Sequence, residues 1–145
     1  MTDDSRYSPP AAVVADPALP SAPKRVRAAV NLLWTSLALA VPVCYLALAR
    51  SPRPEYVIVE LAIYVLWFAF VAFLNFRVLA GRNWARLLTF AFVLIGAYFV
   101  FFPPEDPSPP TVVESAINVI CLVIECVAMW LLFTPPGAAW FKRRD

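Results

Sequence analysis

The chain has 145 residues, 61% apolar and 15% charged, with a formal net charge of +2 and a mean hydropathy of +0.70. Soluble domains are roughly 45–50% apolar and about 25% charged, and one this small would expose an apolar patch far beyond what monomers tolerate. The chain's solvent is therefore largely lipid, and so small a net charge does not point to nucleic acid.

The sequence contains no histidine. That removes His-ligated haem, most zinc chemistry and any Ser–His or Cys–His nucleophile pair. No metal or cofactor is expected, and the chain is not expected to be an enzyme. Cys44, Cys121 and Cys126 all lie in apolar runs. Cys121 and Cys126 are five residues apart, which puts them about 140° apart on a helix, so they cannot bridge within it. Arg outnumbers Lys ten to two, a bias that points to a GC-rich bacterial genome.

Residues 1–23 are polar and proline-rich, without the basic start and apolar run of a signal peptide. A disordered cytoplasmic tail is expected there. Residues 24–134 form the expected transmembrane domain. It holds four apolar runs, 28–49, 56–76, 85–102 and 112–133, of 22, 21, 18 and 22 residues. Each matches the ~17–25 residues that cross about 30 Å of hydrocarbon as a helix. A lone strand there would leave its backbone groups unsatisfied. The fold class is an all-α integral membrane protein, a four-transmembrane-helix antiparallel bundle.

The connections agree. Pro52 and Pro54 break the chain after the first run, and Gly81 suits a tight hairpin after the second. Residues 103–111 contain five prolines, and Pro135, Pro136 and Gly137 stop the fourth helix. Residues 135–145 are expected to be a short basic and aromatic cytoplasmic tail.

Lys24, Arg25, Arg27, Arg77, Arg82, Arg86, Lys142, Arg143 and Arg144 fall on one side, and only Arg50 and Arg53 on the other. By the positive-inside rule both termini face the cytoplasm. Trp34, Trp84, Trp130 and Trp140 sort toward that face, and Tyr45, Tyr56 and Tyr98 toward the outer one. Trp84, Arg82, Trp140, Lys142 and Arg143 are the expected interface anchors on anionic headgroups.

Polar residues inside the runs are the candidate site. In the fourth run Glu114, Asn118, Cys121 and Glu125 share one stripe of the helix. Glu125 lies eight residues from Phe133, about 12 Å inside the membrane, where an ionised carboxylate is costly. It must be protonated, paired or facing a wet cavity. Glu114, near the boundary, is expected to be solvated, and Glu60 to pair with Arg50 or Arg53. In the second run Glu60, Tyr64, Trp67 and Asn75 share an arc, and in the first Asn31, Thr35, Ala38, Pro42 and Tyr45 do. Pro42 should kink its helix or leave the Ala38 carbonyl unbonded. The third run carries Thr89 and Gly96 on one side, and the glycine should permit close helix approach. Turning these faces inward gives an outer polar layer of Glu60, Glu114 and Asn118. The inner layer would hold Asn31, Asn75, Arg86, Thr89 and Glu125, with Arg86 the cation nearest in depth to Glu125.

The stretch 81–86, Gly-Arg-Asn-Trp-Ala-Arg, opens a helix, and the last helix ends Leu131-Leu132-Phe133-Thr134-Pro135-Pro136, followed by Trp140-Phe141-Lys142. These features resemble a group of bacterial four-helix inner-membrane proteins. The resemblance covers the second half of the chain and implies a multi-pass inner-membrane placement, with no activity attached. From the residues themselves, Asn83 should cap the third helix. Small multidrug exporters also have four short helices, but their essential glutamate is in the first, where this chain has Asn31. The expected function is a non-catalytic membrane protein: a scaffold, accessory subunit or envelope component. Its expected partners are the lipid bilayer with anionic headgroups and a second copy or another membrane protein. The alternative is a small oligomeric transporter or proton-linked permease built around Glu125 and Glu60.

Overall fold

A computed structural model describes residues 22–51, 54–103 and 109–142. Four long helices run α1 (Lys24–Ala49), α2 (Val57–Leu79), α3 (Asn83–Phe101) and α4 (Val112–Phe133), followed by a short α5 (Gly137–Lys142). A 3-10 turn, Pro54–Tyr56, leads into α2. The four long helices are each apolar and long enough to cross a membrane. In α2 only 6% of the most apolar stretch is buried within the protein, so its surface is built for lipid. The expected fold class is the observed one.

The helices pack in ring order, each against its chain neighbours, and α4 closes the ring on α1 with the most extensive interface. Arg25 Nη1 donates to the Pro135 carbonyl at 2.8 Å, and Arg50 pairs with Glu114 at the opposite end, so α1 and α4 are antiparallel. The first of these contacts marks the terminal end of the bundle and the second its loop end.

Helix starts follow local chemistry. α1 begins directly after Pro23, four residues earlier than expected, with Lys24, Arg25 and Arg27 inside its first turn. Their charges can lie beyond the hydrocarbon while their backbone stays helical. α2 runs three residues past expectation, to Leu79, and turns at Gly81, whose φ of 79° favours glycine. α3 starts at Asn83, which is its first helical residue; Arg82 is the N-cap, so the expected Asn83 cap does not form. The span of α4 is as expected, and a reciprocal Thr111–Glu114 capping box starts it. α1 continues through Pro42 as one helix.

The core lies toward the terminal end. Val26, Ala29, Val30 and Leu33 of α1 meet Leu74 and Val78 of α2, Ala85 and Val93 of α3, and Ala128, Met129 and Leu132 of α4. Trp140 and Phe141 of α5 belong to the same cluster, 7% and 0% exposed. Toward the loop end the packing opens into cavities. Residues 1–21 of the expected 1–23 tail and residues 104–108 of the proline loop lie outside the described residues; Ala22, within that expected tail, packs against the core.

Candidate functional site

The inward face of α1 differs from the one expected. Asn31, Thr35, Ala38, Pro42 and Tyr45 are exposed, and the buried stripe is Val26, Ala29, Val30, Leu33 and Ser36. Residues at this spacing of three and four form one apolar face, and packing it on α4 buries more carbon than the polar arc would. Thr35 can face lipid because its hydroxyl donates to its own helix, to the Asn31 carbonyl at 3.0 Å.

Ser36 is the only polar residue on that stripe, and it meets Glu125. Its Oγ donates to Glu125 Oε1 at 2.7 Å. One turn earlier on α4, Cys121 Sγ lies 3.7 Å from the Ser36 carbonyl, at the limit of a weak thiol bond. Among the described residues no Lys or Arg forms an ion pair with Glu125; the ion pair present is Arg50–Glu114. The expected Arg86–Glu125 approach is not made. The Arg86 guanidinium lies 4.5 Å from the ring centre of Phe133 and 4.6 Å from that of Phe141. Phe133 is eight residues along α4 from Glu125, roughly 12 Å away, so these rings hold Arg86 at the terminal end.

At the loop end the expectation for Glu114 is corrected. It is 1% exposed, not solvated. Arg50 Nη2 reaches both of its carboxylate oxygens at 2.5 Å, and Arg50 Nη1 donates to the Pro109 carbonyl at 3.2 Å. Thr111 donates to Glu114 Oε2 from its backbone nitrogen at 2.6 Å and its hydroxyl at 2.8 Å. With Arg50 engaged there, Glu60 takes a different partner: Ser51 Oγ donates to it at 3.1 Å. Arg53 lies outside the described residues.

Two cavities flank Glu125. The outer one, about 380 Å³, lies between α1, α3 and α4 and reaches Pro103 and Pro110 at the loop end, with Asn118 in its wall. The inner one, about 150 Å³, is bounded by α1, α2 and α3 together with Glu125, and has Asn75 and Thr89 in its wall. The two meet at Ser36, Ala40, Gly96 and Glu125. Gly96 does not serve close helix approach: a methyl group placed there would meet nothing within 4 Å. Thr89 donates to the Ala85 carbonyl of its own helix at 2.8 Å. Asn75 is 1% exposed, and neither its Oδ1 nor its Nδ2 has a hydrogen-bond partner among the described residues.

The structure thus gathers Glu125, Asn75 and Thr89 around one chamber and puts Asn118 in the adjoining one. It leaves Asn31 on the outside, Glu60 beyond both cavities, and Glu114 in an ion pair at the rim. Of the expected anchors, Arg82 and Trp84 are exposed, the tryptophan by 49%. Trp140 is corrected: it is packed in the protein core, not presented to lipid. Arg143 and the Lys142 side chain lie outside the described residues. Among the described residues no three His, Cys, Asp or Glu side chains gather to hold a metal.

Sequence reasoning missed Ser36 and Thr111, and gave Arg50 to Glu60 and not to Glu114. The Thr111-Val-Val-Glu114 spacing is a capping-box signal. Ser36 could be found only by following the small residues Ala29, Ser36 and Ala40 as one packing stripe. No family model matches the chain, and no curated protein or solved structure is similar to it.

Proposed function

We propose that the chain is a non-catalytic integral membrane protein, acting as a scaffold, accessory subunit or envelope component through its membrane-embedded body. The observation that carries this is the use of its membrane acids. Glu125 takes a bond from Ser36 on α1, Glu114 from Arg50 at the C-cap of α1, and Glu60 of α2 from Ser51, the next residue after that cap. Interhelical polar contacts of this kind are worth about 0.6–2 kcal/mol in membranes and fix which helices pair. The proposed setting is a bacterial inner membrane, with both termini cytoplasmic and the basic end on anionic headgroups. A second copy or another membrane protein is the proposed partner for the exposed apolar faces.

A second function, a small proton-linked transporter, draws on the cavities that meet at Glu125. Proton flux into liposomes holding the purified protein separates the two. The scaffold function expects no flux above that of empty liposomes. Flux that Glu125→Gln abolishes, with the protein still folded, would replace it with transport.

A further inference from the structure

The inner chamber carries an inference beyond a structural role. Asn75 is buried, lines the chamber and has neither half of its amide partnered among the described residues. Buried amides almost always find partners, so its environment is completed by something these residues do not supply. The Glu125 carboxyl lines the same chamber, with no cation of the described residues paired to it. A carboxylate at this depth is costly without a countercharge. Ser36 and Thr89 also line it, but their hydroxyls are already given to Glu125 and to the Ala85 carbonyl. Much of the remaining wall is carbon: Leu33, Phe92, Val93 and, at the rim, Trp67, whose ring stands edge-on to Phe92 at 5.1 Å. A water cluster suits a chamber with free polar groups on all sides; here the free polar groups are those of Glu125 and Asn75, and most of the lining is apolar.

We propose that this chamber binds a small alkylammonium ion. Its charged nitrogen would sit on the Glu125 carboxylate and donate to Asn75 Oδ1, and its carbons would lie against Phe92, Val93 and the Trp67 ring. Aromatic faces attract organic cations, and a carboxylate supplies the countercharge. A cavity of about 150 Å³ takes a molecule of roughly benzene's bulk. The outer cavity, joined to it at Gly96 and Glu125, provides the route from the loop end. The site requires no transport, so it stands or falls separately from the function proposed above.

The test is ligand-observed NMR on the full chain in nanodiscs of phosphatidylglycerol alone, which contain no headgroup amine. The probes are tert-butylammonium and its neutral counterpart of similar shape, tert-butanol. The expected result is saturable binding of the ammonium at least tenfold tighter than the alcohol. Glu125→Gln should weaken it at least tenfold. Gly96→Leu, which extends into open space between the cavities, should do the same with the melting temperature retained. Should Glu125→Gln fail to fold, the Gly96→Leu variant and the probe pair decide the matter. Adding phosphatidylethanolamine distinguishes sources: competition with the probe identifies a lipid amine as occupant of the same site, and undiminished binding identifies a free amine. Equal affinity for the two probes, no saturable binding, or unchanged binding in folded Gly96→Leu would overturn the proposal.

Discussion

Ser36 Oγ lies 2.7 Å from Glu125 Oε1, so one hydroxyl of α1 holds the most deeply placed carboxyl of α4. This contact sits midway along the α1–α4 interface, between the Arg25–Pro135 bond at the terminal end and the Arg50–Glu114 pair at the loop end. Three polar contacts at three depths set the register of the two helices.

Ser36→Ala should lower stability by about 0.6–2 kcal/mol, the usual worth of an interhelical hydrogen bond in a membrane. Glu125→Gln keeps an acceptor for the hydroxyl and should fold normally. Thermal unfolding in detergent measures both. A Ser36→Ala variant as stable as the parent would show that the bond does not hold the interface.

Arg50→Met should destabilise the protein more than Ser36→Ala, because it leaves the buried Glu114 carboxylate without its cation. Adding Glu114→Gln to Arg50→Met should recover part of that loss, since no buried charge is then stranded. A double variant less stable than Arg50→Met by the full cost of Glu114→Gln alone would show the two residues to be uncoupled.

Phe141 is fully buried beneath the bundle, so Phe141→Ala should cost about 3–5 kcal/mol, the range for a core aromatic. In single-tryptophan variants, lipid-attached quenchers should reach Trp130, which is 60% exposed, and spare Trp140, which is 7% exposed. Equal quenching of the two would mean that α5 lies on the membrane and not against the bundle.

Two glycines should respond with opposite sign. A methyl at Gly96 meets nothing, and Gly96→Ala should stabilise α3 by up to about 1 kcal/mol through helix propensity. A methyl at Gly137 would clash with the Leu131 carbonyl oxygen, so Gly137→Ala should displace α5 and lower stability. Unfolding of the two variants side by side gives both signs.

Reporter fusions check the topology that the nine-to-two basic asymmetry implies. Fusions after Asp145 should report a cytoplasmic location and fusions within residues 103–111 an outer one. A cytoplasmic signal from the proline loop would reverse the orientation.

Helix number, length and order were legible in the residues themselves. Apolar runs of membrane length, prolines between them and Gly81 at the hairpin are local features, and lipid leaves a spanning chain little choice but helix. What the residues did not reveal was which way each helix turns. Asn31 and Thr35 look like an inward face, yet Thr35 satisfies its hydroxyl within α1, and the largely apolar stripe from Val26 to Ser36 takes the interface. By sequence Arg50 is a partner for Glu60, and only the closing of α4 on α1 gives it to Glu114 instead. Trp140 looks like a lipid anchor until α5 folds under the bundle and buries it. In each case the deciding quantity is contact between segments distant in the chain. Lipid accepts nearly any apolar face, so composition cannot rank those faces; close packing and the pairing of buried polar groups can.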